Sequence, residues 1–143
     1  MGKMVFLGVL FAGAYMDWKE KELNSLYLII TAVLGGVFAV RNLALGESWM
    51  ALCISCSVGI WLLGISYMTR GGVGEGDGWF FVISGLFVPW NENVFLLCSG
   101  WCFCFLYSLA AVGRSIGKRR LNLSRSVPFL PFLVPAGILL VFF

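Results

Sequence analysis

The chain has 143 residues, 60% of them hydrophobic, and its 18 glycines lift the apolar share to roughly 73%, against about 45–50% on the same count for an ordinary soluble domain. Charged residues make up only 12% and the formal net charge is +3, which is too little polar surface for a water-soluble globule and gives no basis for a nucleic-acid partner. The expected fold class is therefore all-α, a polytopic integral membrane protein of about six transmembrane helices with the lipid bilayer as its first partner. With no histidine in the chain, Ser/His and Cys/His nucleophile pairs, histidine-ligated zinc and histidine-held haem are excluded.

Apolar segments fall near residues 4–16, 26–40, 49–68, 79–90, 93–113 and 127–143. At about 20 residues per spanning helix, six spans take about 120 residues, so residues 1–143 read as a single membrane domain with function carried by helices and short connections. The first apolar run is too short for a full span, so its helix is expected to continue through Asp17 and Trp18. It meets charge where a signal peptide would carry a small-residue cleavage site, so it reads as a retained helix. Before the fourth segment, residues 71–78 (Gly-Gly-Val-Gly-Glu-Gly-Asp-Gly) place five glycines in eight positions, which disfavours helix until after Gly78. After it, Pro89-Trp90-Asn91-Glu92-Asn93 reads as a tight turn. The cysteines Cys53, Cys56, Cys98, Cys102 and Cys104 all lie within apolar runs and read as packing residues, the lone C-x-x-C lacking a second pair at ligand spacing.

Eight of the ten lysines and arginines fall in the first, third and fifth loops, which the positive-inside rule places in the cytoplasm with both termini outside. The two aspartates, Asp17 and Asp77, end up on that same face, each at the end of a membrane helix. The glycine stretch is not a Walker loop or a dinucleotide fingerprint, since G-x-x-x-x-G-K-[S/T] and a preceding strand are both missing. A carboxylate at the membrane boundary is a functional candidate, although a flexible linker whose Asp77 merely caps the fourth helix is the structural alternative. Two aspartates sharing one proton can hydrolyse a peptide bond without metal or nucleophile, one taking a proton from water while the other donates to the scissile carbonyl. By helix-end electrostatics alone, the shared proton is expected on Asp17, at the carbonyl end of its helix, with Asp77 as the initial base.

The stretch Gly74-Glu75-Gly76-Asp77 with Gly71-Gly72 ahead of it, Asp17 followed by Trp18-Lys19-Glu20-Lys21-Glu22-Leu23, and the proline-studded Val127-Pro128-Phe129-Leu130-Pro131-Phe132 together resemble the type IV prepilin peptidases and preflagellin peptidases, the GxGD aspartyl proteases. The chain differs from the usual pattern in having Leu23-Asn24-Ser25 where relatives carry Ile-Pro-Asn, and Trp79 where many carry lysine. The resemblance implies catalysis by Asp17 and Asp77, with Gly72, Gly74, Glu75 and Gly76 supporting the second aspartate, and no metal or other cofactor. It implies a short, peptidase-only form without the zinc-site domain linked to N-methylation, and a prepilin-like substrate whose basic leader is cut where its hydrophobic helix begins. The residues leave the oligomeric state open. They also leave open a non-catalytic membrane subunit or small ion- or proton-coupled transporter, with Asp17 and Asp77 paired to Lys19, Lys21 or Arg70, and a Ser/Lys hydrolase using Ser115 and Lys118.

Overall fold

The computed structural model describes residues 2–20, 24–70, 74–116 and 129–142. Among them lie six helices, α1 (Gly2–Glu20), α2 (Ser25–Ala44), α3 (Trp49–Met68), α4 (Glu75–Ser84), α5 (Trp90–Ile116) and α6 (Leu130–Phe142). Three of these, α2, α3 and α5, are long and apolar enough to cross a membrane, and α6 is a shorter apolar helix. The protein is thus an all-helical integral membrane protein. The long helices leave side chains such as Ile29, Val33, Val37, Trp61 and Phe105 on the outside, a surface that only lipid can cover without cost.

Local chemistry sets the helix ends. Asn24 and Ser48 cap α2 and α3, their side-chain oxygens accepting from the amides of Leu26 (3.1 Å) and Met50 (3.3 Å). The chain leaves α2 through Gly46 at φ +98° and leaves α3 through Arg70 at φ +51°, left-handed positions of the kind that terminate helices.

Inside, Phe6 and Leu10 of α1, Leu62 of α3, Phe80 and Phe81 of α4, Leu96 of α5, and Leu130 and Leu133 of α6 form one buried core. Helix α4 packs chiefly on α3, and α1 on α6. The α3–α4 contact is backbone against backbone. A Cβ built on Gly59 would stand 2.1 Å from the Val82 nitrogen, and one on Gly85 would stand 2.8 Å from the Cys56 nitrogen. Small residues let membrane helices approach in this way and gain dispersion contact that larger side chains would prevent.

The fourth helix departs from the sequence expectation at both ends. It starts at Glu75, ahead of Gly78, and stops at Ser84. Propensity against glycine is overridden because Gly78 is a packing residue, buried where a Cβ would meet Leu63 Cδ2 at 2.7 Å. At the other end, Trp90–Asn93 form the first turn of α5 and the reversal lies just before them, in residues 85–89. The stop is held by Asn93, which has no exposed surface. Its Nδ2 donates to the carbonyls of Ser55 (3.0 Å) and Phe81 (3.2 Å), and its Oδ1 accepts from Ser84 Oγ (2.7 Å). Ser55 Oγ in turn donates to the Val88 carbonyl at 2.8 Å. A ten-residue helix ending away from water needs such partners for its last carbonyls. At this same end Lys3 Nζ meets Glu92 Oε1 at 2.6 Å, tying the start of α1 to that of α5, and a cleft of ≈ 480 Å³ opens among residues including Asn42, Ser48, Gly85, Pro89 and Trp90.

Candidate active site

The opposite end of the bundle holds the two aspartates. Asp17 lies in the last turns of α1 and is buried, 7% exposed. Its Oδ2 accepts the backbone N–H of Leu130, the first residue of α6, at 2.9 Å. This approach depends on Gly13, one turn earlier, where a Cβ would meet Leu130 Cδ2 at 2.8 Å and the Tyr27 hydroxyl at 2.6 Å. Along the same interface Gly137 of α6 receives Leu10. Tyr27 anchors α2 to α1 by donating its hydroxyl proton to the Val9 carbonyl.

Asp77 is half-buried in the first turn of α4. Gly74 occupies the cap position with no side-chain cap bond, so Asp77 does not serve as the helix cap that the linker reading assigned to it. Its carboxylate folds back over Gly74, where a Cβ would stand 3.1 Å from Asp77 Oδ2. Glu75 is exposed, Gly76 is half-buried, and Gly72 lies outside the described residues.

Both aspartates lie outside the apolar stretches of their helices, and neither α1 nor α4 is among the three long apolar helices. Burial first, and the charge of Asp17 second, push Asp77 up to about 7. Burial also raises Asp17, but the amides of Leu130 and Phe129 oppose that rise. The charge of Asp17 thus reaches Asp77, sixty residues away in the chain.

This environment adds a term that the helix-end expectation for a shared proton did not contain. Helix ends contribute typically about 0.3–1 kcal/mol, whereas a hydrogen bond to a charged group contributes about 1.5–3 kcal/mol. The α6 amide favours ionised Asp17 and so works against the expectation that a shared proton rests there. Sequence reasoning missed that amide. The proline-studded segment drew attention to the opening of the last helix, but a backbone donor leaves no mark in side-chain spacing.

Among the described residues the ion pair is Lys3–Glu92. Lys19 and Arg70 form no salt bridge to either aspartate, contrary to what the transporter reading requires, and Lys21 lies outside the described residues. Ser115 and Lys118 of the Ser/Lys reading fall where side chains are not described. The five cysteines are free thiols, and no group of three or more Cys, Asp or Glu side chains among the described residues could hold a metal ion.

The model of the type IV leader peptidase family matches residues 4–109, a stretch that contains both aspartates and the glycines around Asp77 and ends ahead of α6. No curated protein and no solved structure matches the chain.

Proposed function

Because this chain belongs to the type IV leader peptidase family, we propose that it is a membrane-embedded aspartyl endopeptidase that removes the short basic leader of prepilin-like proteins. The observation that supports this reading is the placement of two carboxyl groups from separate helices at one end of the bundle, where the charge of Asp17 adds to burial in raising Asp77 to about 7, as a pair able to hold one proton near neutrality requires. The ionised carboxylate takes a proton from a water molecule as the hydroxide adds to the scissile carbonyl carbon, and the neutral carboxyl gives its proton to the carbonyl oxygen. Collapse of the tetrahedral adduct returns that second proton and transfers the first to the leaving amine as the C–N bond breaks. The dyad thereby regains its starting state.

Gly74 and Gly76 carry no side chains beside Asp77, which suits close approach of an extended substrate backbone. Eight of the ten lysines and arginines fall in the first, third and fifth sequence loops, and the positive-inside rule supports a cytoplasmic setting for the two aspartates. A prepilin-like substrate keeps its charged leader in the cytoplasm and its hydrophobic helix in the bilayer, which brings the junction between them to the level of the dyad.

The test is incubation of the purified protein with a panel of tagged prepilin-like substrates, alongside Asp17→Asn and Asp77→Asn. Leader loss with wild type and none with either variant is the expected result, with all three proteins inserting equally in membranes. Turnover by one Asn variant would remove that aspartate from the mechanism.

A further inference from the structure

We propose that the backbone N–H of Leu130 is a positioning group that fixes the division of labour in the dyad, holding Asp17 as the carboxylate that activates water and leaving Asp77 as the proton donor to the carbonyl. The inference rests on the peptidase reading and adds to it a group from α6, beyond the segment that the family match covers.

The geometry is specific. The contact of 2.9 Å to Oδ2 joins residues 113 apart in sequence, and Leu130 itself has no exposed surface. Two built features bring it there. Gly13 lacks the side chain that would collide with Leu130, and Gly137 accepts Leu10 further along the same interface. The α6 N-terminus carries free amides at this point, and Pro131 just inside the helix has none to offer, so Leu130 presents its donor to Asp17 beside a residue that cannot compete for it.

The charged and titratable groups around Asp17 leave the backbone amides at the start of α6 to set its charge, with Leu130 as the donor at 2.9 Å and Phe129 as a second contributor beside it. Residues 130–142 of α6 contain no titratable side chain. Helix α2 contributes Tyr27, whose proton goes to the Val9 carbonyl, and Arg41, which belongs to its far end. Helix α4 contributes Asp77 itself and the exposed Glu75, and α1 carries Lys19 and Glu20, which are exposed and opposite in sign. A buried N–H aimed at one carboxylate oxygen favours the ionised form of that group over its neighbour.

The experiment removes the donor in three ways that separate the amide from the side chain. Leu130→Pro lacks the N–H, an amide-to-ester exchange at Leu130 lacks it while keeping the leucine side chain, and Leu130→Ala keeps it while losing the side chain. In full-length protein carrying Asp77→Asn, the Asp17 carboxyl band in the infrared, identified by its loss in Asp17→Asn, is titrated against pH. Losing the amide is expected to raise the midpoint by about one to two pH units, and Leu130→Ala to leave it near the parent value. In the background with both aspartates present, the acid limb of leader cleavage should move upward with the same two amide-free variants. A midpoint unmoved by Leu130→Pro and by the ester, or moved equally by Leu130→Ala, would overturn the proposal. Absence of any leader cleavage by the wild type would instead overturn the peptidase reading, with the infrared titration still reporting the hold of the amide on Asp17.

Discussion

Replacing Gly59 by alanine adds one methyl group to the α3–α4 interface, and the structure says where it goes. The new Cβ would lie 2.1 Å from the Val82 nitrogen and 2.6 Å from the Phe81 carbonyl carbon, whereas ordinary contact begins at 3.4 Å. Both partners are backbone, so no side chain can rotate away and α4 must move outward by about 1 Å. Overpacking of this kind costs about 1–3 kcal/mol, partly offset by up to about 1 kcal/mol from the better helix propensity of alanine. Function is more sensitive than stability. Val82 is five residues from Asp77, about 7.5 Å along a rigid helix, so the displacement is passed to the carboxylate, and an error of about 1 Å in a catalytic group can cost about 10²-fold in rate. Gly64→Ala is the control, since nothing lies within 4 Å of a Cβ there. Leader cleavage and thermal unfolding in detergent should both fall for Gly59→Ala and hold for Gly64→Ala. If the two variants behave alike in both assays, the close helix contact does not place Asp77.

Asn93→Ala removes three hydrogen bonds at the end of α4 and leaves buried carbonyls of Ser55 and Phe81 without that donor; a loss of about 1–3 kcal/mol is expected, measured by unfolding in mixed micelles, with a near-zero change counting against the capping role. Cleavage should fall as pH rises through about 7, because Asp77, pushed up to about 7 by burial and by Asp17, is protonated below that value and loses the proton it must donate above it; a rate that climbs steadily to strongly alkaline pH would contradict this sign. Single cysteines in an otherwise cysteine-free chain should be labelled from the cytoplasm within residues 118–120 and from the outside at Phe143, and a cytoplasmic C-terminus would mean that the helices alternate differently.

The helices were legible because their signal is bulk apolar content. The segments 26–40 and 49–68 reappear as α2 and α3 with little change, since lipid-facing residues and core residues are both apolar and neither erases the pattern. The fourth helix was misplaced because glycine carries two messages. In Gly78 and Gly85 it marks close approach to α3, not a flexible turn, and only the partner helix distinguishes them. Asn93 follows Asn91 and Glu92 directly, and in such a polar run nothing in the sequence marks which residue turns inward as a buried partner. At the dyad, Asp17 and Asp77 stood out as carboxylates at the ends of apolar runs. The donor that differentiates them is a main-chain amide of Leu130, and main-chain groups are the same at every position of a sequence.

The ion pair between Lys3 and Glu92 acts as a depth gauge for the chemistry at the other end. Lys3 and Asp17 are fourteen residues apart on one helix, about 21 Å at 1.5 Å per residue, whereas the hydrocarbon layer is about 30 Å thick. With the ion pair at one surface and Asp17 at the other boundary, the bilayer beside α1 must thin by several ångström. Acyl-chain length thus becomes a variable of the proposed activity, because shorter lipids lessen the thinning that keeps the aspartates in reach of water while leaving every protein contact unchanged.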